Sequence, residues 1–375
     1  MSSGNQTRLL LIFGAMGAAA ALVPAILPLA ASRLGVLDFS LLAAVPLMFG
    51  GLFTGVLLAP ILSLRLRLTL LIQLATVALS AGLLGLFVAS SAQFFLLASA
   101  VLGLGFGTLE VSITAAFKVA GNAGAKQLTK LNLLFAASAM TAPIVLYAES
   151  TVFGSALILV LVAGVALVLV LGLETIQANL TEAKLSGSIQ LWPLLIAAIF
   201  YVGAESILSG WSSTLVAEIT NLEPARAALG ASGFWALIAL GRWVSFLVTP
   251  RFISASFASS FWALFGTVTL FLAAVLPANN WTLGLFALAT VAAGPIYALL
   301  LSLVLERTVA RAASTTTTLL ILLGASGGFL LPTVVQLSPG INQAALISGS
   351  AMFIAAIGLL VGSRIQVPET EGKLA

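Results

Sequence analysis

The sequence predicts an all-α membrane protein whose twelve transmembrane helices form two pseudo-symmetric six-helix bundles. Of its 375 residues, 61% are hydrophobic and only 7% are charged, whereas a soluble domain carries roughly 25% charged residues. The apolar residues fall into segments long enough to cross a bilayer. The basic residues between these segments alternate in number from one side to the other, as expected for a polytopic membrane protein.

Twelve apolar segments meet the length that a membrane span requires, roughly 20 predominantly apolar residues. A helix suits these segments because its backbone groups bond to one another and need no water. The connections are short, so consecutive helices are expected to be antiparallel. The predicted spans are 8–32, 39–63, 68–90, 93–118, 128–148, 152–174, 191–217, 226–250, 257–277, 280–306, 312–336 and 342–363.

A polar stretch separates the sixth predicted span from the seventh. It divides the chain into an N-terminal bundle (1–174), a cytoplasmic linker (175–190) and a C-terminal bundle (191–375). Lys and Arg are in excess in cytoplasmic loops, and a cytoplasmic N-terminus places twelve of the fifteen basic residues on that side. These twelve are Arg8, Arg65, Arg67, Lys118, Lys126, Lys130, Lys184, Arg251, Arg307, Arg311, Arg364 and Lys373. Only Arg33 and Arg226 fall outside, so both termini are expected on the cytoplasmic face of the plasma membrane.

The composition also excludes several kinds of chemistry. The chain has no Cys and no His, so it can form neither a disulfide nor a Ser-His-Asp triad, and it lacks the commonest metal ligand. No dense acidic cluster suggests a hard metal ion, and the net charge of +4 is too dispersed to indicate nucleic acid. We therefore expect no enzymatic activity, no cofactor and no metal.

The two halves of the sequence repeat one local pattern. In the second predicted span, Gly51 is followed nine residues later by Pro60 and then by arginine. In the eighth, Gly241 and Pro250 have the same spacing and are also followed by arginine. Internal repeats are common in secondary transporters, although Gly and Pro are also frequent in membrane helices of every kind.

Three stretches carry more specific motifs. The fourth predicted span reads GLGFGTLEVSITAAF, the fifth opens with KLNLLFAAS, and the seventh contains FYVGAESILSGWSSTLVAE. Together with the layout of six plus six spans, they resemble the major facilitator superfamily over the whole chain, and within it most closely the fucose–proton symporter group. The resemblance implies a monomeric carrier that moves a small polar solute, a sugar or related metabolite, together with protons by alternating access.

The chain departs from the pattern of that group at three places. Pro60 stands where the superfamily's loop motif has an aspartate, and Thr114 stands where the group often has asparagine. The first predicted span carries no acidic residue, whereas the fucose symporter has one there. Two alternatives on the same fold therefore stay open: an exporter of amphipathic compounds or drugs, and a membrane sensor that does not transport.

Glu110 and Glu205 are the only carboxylates that fall deep inside predicted spans. A charge at the centre of a bilayer costs at least about 2.5–3.5 kcal/mol, so such residues almost always face the interior of a bundle or a water-filled cavity. In the resembled symporters the acid of the fourth helix takes the coupling proton. This implies a proton-coupling role for Glu110, with Glu205 as a second candidate. The alternative is that each carboxyl only ties helices together through hydrogen bonds.

Other polar and aromatic residues within spans are candidates for the substrate site or for a gate. Arg242 lies about two turns inside the eighth span, where it can lock an inward gate or extend to the interface. Aromatic faces stack on sugars and on apolar groups, whereas small polar side chains often only bond between helices. The predicted substrate-binding residues are Asn132, Ser138, Trp211, Trp235, Tyr297 and Ser326.

Overall fold

The computed structural model describes residues 2–119, 125–176, 191–252, 254–308 and 313–364. Over these ranges the chain is helical almost throughout and contains no strand. The predicted linker, apart from residues 175–176, lies outside them, as do Lys184, Arg311 and Lys373. The helices are α1 (Ser3–Leu34), α2 (Asp38–Leu41), α3 (Ala44–Ser63), α4 (Leu68–Val88), α5 (Ala92–Val119), α6 (Ala125–Phe153), α7 (Leu157–Leu171), α8 (Trp192–Thr220), α9 (Pro224–Ala227), α10 (Leu229–Phe252), α11 (Ala255–Val275), α12 (Asn280–Glu306), α13 (Ala313–Gln336) and α14 (Ile341–Gly362).

Eleven helices of the described chain are long and apolar enough to cross a membrane, so the protein is an integral membrane protein. The predicted sixth span is shorter than expected. Its helix, α7, has 15 residues, or about 22 Å at a rise of 1.5 Å per residue. The preceding helix continues to Phe153 and ends at Gly154, whose φ of 61° suits a residue without a Cβ. The chain therefore reaches α7 later than the hydropathy pattern predicts.

The connection after the first long helix of each half has the same form. α1 is capped by Gly35 with a φ of 64°, and α8 is capped by Asn221 with a φ of 52°. Glycine, and sometimes asparagine, is the usual residue in this left-handed C-cap conformation. A four-residue helix follows in each case, α2 or α9, before the next long helix begins.

Helix pairing also repeats between the first seven helices and the last seven. α1 packs against α6 as α8 packs against α13, and α3 packs against α5 as α10 packs against α12. Likewise, α4 packs against α7 as α11 packs against α14. The sequence echo between Gly51 and Gly241 has a structural counterpart, because a Cβ on Gly51 would overlap the carbonyl of Ala100 and one on Gly241 would overlap the carbonyl of Val291.

The partner helices carry matching glycines. A Cβ on Gly103 of α5 would overlap the carbonyl of Met48, and one on Gly294 of α12 would overlap the carbonyl of Ile238. Small residues allow this close approach of helix backbones in membranes. The crossings of α3 with α5 and of α10 with α12 are therefore equivalent, and they position the residues just beyond them on α5 and α12.

The two halves of the chain contact each other mainly on the side where α1 ends. There the rings of Phe39 and Trp211 lie 5.5 Å apart, and the hydroxyl of Ser232 donates to the carbonyl of Met140 at 2.8 Å. Seven residues of the second half belong to the hydrophobic core of the first half. All of them lie in the middle of their helices or toward the side where α1 ends. They are Ile207, Trp211, Ala228, Ala231, Ala325, Val335 and Ala344.

Candidate functional site

A cavity of about 240 Å³ lies between the two halves of the chain. Twenty residues line it, and twelve of them are apolar. The polar and the large aromatic lining residues come from both halves, so the cavity belongs to neither half alone. They are Phe13, Phe49, Phe106, Glu110, Asn132, Phe135, Glu205, Ser206, Ser209, Phe234, Trp235, Arg242 and Tyr297.

Glu110 reaches the cavity because α5 packs tightly on α3. Gly103 and Gly107 face the α3 backbone without room for a Cβ, and the hydroxyl of Thr108 donates to the carbonyl of Gly55 at 3.4 Å. Glu110 follows two residues later and lies nine residues before Val119 ends α5, which is about 14 Å along the helix axis. No hydrogen bond or ion pair joins its carboxyl to any residue that the structure describes.

Glu205 and Arg242 bring two further charges to the cavity, from α8 and α10. Arg242 Nε donates to the carbonyl of Gly294 at 3.0 Å, a contact that the glycine crossing of α10 and α12 makes possible. Glu205 lies within electrostatic range of Arg242. Their side chains do not touch, since within the described ranges the only ion pair joins Arg307 and Glu306 at 3.9 Å.

Two stacked tyrosines lie beside these charges. Tyr201 is fully buried, and its hydroxyl donates to the carbonyl of Ala293 at 2.9 Å. Its ring stacks on Tyr297 with the centroids 6.3 Å apart. Tyr297 lines the cavity and lies within electrostatic range of both Glu110, from the first half, and Glu205, from the second.

An aromatic cluster forms much of the remaining wall. Phe135 is at its centre, with its ring 5.8 Å from Phe13, 6.1 Å from Phe106 and 5.6 Å from Trp235. Trp235 in turn packs edge-on against Phe234 at 5.4 Å. Trp235 Nε1 is buried and has no hydrogen-bond partner in the described part of the protein. A buried donor of this kind is costly unless something accepts from it.

Six of the nine residues that the sequence singles out line this cavity, namely Glu110, Asn132, Glu205, Trp235, Arg242 and Tyr297. The other three lie elsewhere. Ser138 faces α1, where a Cβ on Gly14 would lie 3.2 Å from its hydroxyl. Trp211 is buried against Phe39, and the hydroxyl of Ser326 donates to the carbonyl of Leu323 at 2.6 Å.

Sequence reasoning did not identify the phenylalanines of the cavity. The chain contains 22 of them, so residue type alone does not separate a wall of the cavity from a lipid-facing side chain. Helical spacing offers a signal, because Phe106 lies four residues before Glu110 and Phe135 three residues after Asn132. Residues so spaced share a helix face. In the described ranges no group of three or more acidic residues is placed to hold a metal ion.

Comparison with known proteins rests on the fold. The sequence matches no protein-family model and no curated protein. The structure is similar to a bacterial homologue of the human lysosomal transporter Spinster in an inward-facing, unoccupied conformation, with a TM-score of 0.74, 14% identity and coverage of 97% of this chain and 98% of that one. The nucleoside transporter NupG gives a TM-score of 0.72, 13% identity and coverage of 95% and 99%.

The Escherichia coli fucose:proton symporter FucP is also similar, with a TM-score of 0.61, 14% identity and coverage of 96% of this chain and 98% of that one. These are structures of major facilitator superfamily transporters. The chain therefore has the fold of that superfamily, and the predicted resemblance is confirmed at the level of the fold.

Proposed function

We propose that the protein is a secondary active transporter, not an enzyme, that moves a small solute by alternating access and carries the coupling proton on Glu110. The observation that supports this most strongly is a carboxyl without a described partner in a cavity between two halves of the chain. The similar folds are those of transporters, which favours a carrier over a sensor.

The proposed topology has twelve crossings, with α7 as the sixth, in a monomer of the plasma membrane. The bundles 1–174 and 191–375 are joined by a cytoplasmic linker, and both termini are cytoplasmic. In this orientation the halves meet on the outer side, and the cavity is reached from the cytoplasm past Asn132, which both lines the cavity and is exposed.

Proton coupling follows from the cost of enclosing an unpaired charge. An ionised Glu110 is compatible with a cavity that is open to water, but closing the cytoplasmic side around it would remove that water. A charge buried without a partner costs several kcal/mol. Uptake of a proton, or pairing with a positively charged solute, removes this cost and permits the closure. Enclosing an ionised Glu205 costs less, because Arg242 lies within electrostatic range of it.

Two solute classes fit the lining. A sugar or related metabolite would use the polar groups of Asn132, Glu205, Trp235 and Tyr297 together with ring stacking. An amphipathic compound, moved outward, is favoured by the cluster around Phe135 and by the twelve apolar residues among the twenty that line the cavity. Uptake of radiolabelled sugars and efflux of amphipathic dyes, measured in the same proteoliposomes, separate the two. A ligand that binds without any flux would instead indicate a sensor.

The coupling role is tested with Glu110→Gln, which keeps the size of the side chain but cannot exchange a proton. In proteoliposomes we expect it to abolish accumulation driven by a pH gradient and to spare exchange of solute across the membrane when the solute is saturating on both sides. Glu306→Gln is the matched control, because Glu306 is exposed at the end of α12 and lies outside the cavity. Loss of both activities in Glu110→Gln, or of neither, would contradict the proposal.

A further inference from the structure

The charges of the cavity do not balance. Glu205 and Arg242 belong to the same half and lie within electrostatic range of each other, and Arg242 is also held by the carbonyl of Gly294. Glu110 comes from the other half and has no ion-pair or hydrogen-bond contact with a described residue. One negative charge therefore remains without a positive partner whenever Glu110 is ionised.

Aromatic rings line the same cavity as Glu110. Phe106 lies one turn from Glu110 on α5, so the ring and the carboxyl share a helix face. Phe106 meets Phe135 edge-on at 6.1 Å, and Phe135 meets Trp235 at 5.6 Å. The faces of such rings attract cations, with tryptophan the strongest. A carboxylate beside several rings is a combination that suits an organic cation better than an anion or a neutral polyol.

We infer that the cavity binds a compact organic cation with an apolar or aromatic body, its positive group on Glu110 and its body among Phe106, Phe135 and Trp235. The cavity of about 240 Å³ is smaller than the range of about 300–1,000 Å³ typical of sites for drug-sized ligands, so the ligand is compact. This inference rests on the proposed transport function and specifies its substrate class.

A consequence for coupling follows. The Glu110 carboxyl can hold a proton or pair with the cation, but not both. Each cycle would therefore exchange one cation for one proton, with no net charge moved for a monovalent substrate. The protein would be a cation–proton exchanger that uses an inward proton gradient to drive export.

Few other charged groups can take part in this competition. Glu205, Arg242 and Tyr297 face Glu110 from α8, α10 and α12. The helices α3 and α4, which pack on α5, carry no charged residue. In α1, Arg8 bonds the carbonyl of Gly172 and Arg33 bonds carbonyls at the end of α4. Asp38 belongs to α2, which follows the C-terminal end of α1. That is the side of the bundle on which α5 begins.

Binding is measured first, on detergent-purified protein with radiolabelled benzyltrimethylammonium, whose charge cannot be removed by pH. We expect saturable binding that protons compete away and that the neutral isostere neopentylbenzene does not match. Glu110→Gln should weaken binding about ten- to a hundredfold, as for loss of a charged partner. Glu110→Asp, which keeps the charge, should bind more tightly than Glu110→Gln, and Glu306→Gln should bind like the unaltered protein. The inference is overturned if the cation does not bind saturably, or if Glu110→Gln binds it equally well.

Flux is measured second, in proteoliposomes with an acidic interior, from which protons leave as the cation enters. Accumulation of benzyltrimethylammonium that collapses with the pH gradient supports the exchange. Cation binding that depends on Glu110 without any flux would leave the ligand class standing and refute the transport function. Proton-coupled uptake of L-fucose without cation binding would leave the transport function standing and refute the ligand class. An absence of both would refute both.

Discussion

Gly103 offers a quantitative test of the crossing that holds Glu110 in place. A Cβ at this position would overlap the carbonyl oxygen of Met48, and it would lie 2.7 Å from the Met48 carbonyl carbon and 3.0 Å from the Leu52 nitrogen. These are backbone atoms, so no side chain can rotate away and the two helices must separate. Overpacking of this kind costs about 1–3 kcal/mol.

Gly164 provides the matched control, since it lies within α7 where an added Cβ would meet no atom of the described chain within 4 Å. Gly164→Ala should therefore show only the helix-propensity gain of alanine over glycine, about 1 kcal/mol. Purified in detergent, Gly103→Ala should have a lower Tm than the unaltered protein and Gly164→Ala an equal or higher one. A Gly103→Ala variant as stable as Gly164→Ala would refute the close helix crossing.

Two further predictions concern side chains at the site and at a helix end. Tyr297→Phe removes a cavity-lining hydroxyl that lies within electrostatic range of both Glu110 and Glu205, so we expect pH-driven transport to fall about tenfold, or about 1.4 kcal/mol, with little change in Tm. Tyr201→Phe should mainly affect stability: loss of the 2.9 Å bond to Ala293 should lower it by about 0.5–1.5 kcal/mol, so its Tm should fall below that of Tyr297→Phe, and equal Tm values for the two variants would refute the distinction. Arg33 donates to the carbonyls of Phe87, Leu86 and Ala89 at 2.9, 3.2 and 3.1 Å, so Arg33→Gln should destabilise the protein by about 1–2 kcal/mol; an unchanged unfolding midpoint would show that this cap contributes nothing.

The fold was largely predictable because very few backbone structures can cross a lipid bilayer. Apolar length alone located eleven long helices, and the pairing of Gly51 with Gly241 anticipated two equivalent helix crossings. The boundary between α6 and α7 was misplaced, because the polar residues 149–151 suggest a break there, whereas the helix continues past them to Phe153 and ends at Gly154. A backbone preference of one residue is invisible to a hydropathy window.

The site could be predicted from the residues that are rare inside membrane spans, which are the charged ones. Glu110, Glu205 and Arg242 were identified because a charge in a span needs a reason, and all three line one cavity. A hydroxyl within a span is weaker evidence for a site, since it can bond to its own helix. The hydroxyl of Ser326, for example, donates to the carbonyl of Leu323. Trp211 shows the same limit for aromatic residues: packing, which a sequence does not display, decides whether a ring faces a cavity or a helix.

The absence of cysteine from the sequence makes a cross-link the most direct test of alternating access. A Cβ on Gly210 would lie 3.2 Å from the Val45 Cβ, close to the separation of about 3.5–4.5 Å found in disulfides. Oxidation of the Val45→Cys, Gly210→Cys double variant should hold the two halves together on the side where α1 ends.

Solute flux through this double variant in proteoliposomes, before and after reduction, is the deciding measurement. If transport requires the halves to separate on that side, flux should stop on oxidation and return on reduction, while each single variant is insensitive to both treatments. Undiminished flux through fully cross-linked protein would contradict alternating access about this cavity.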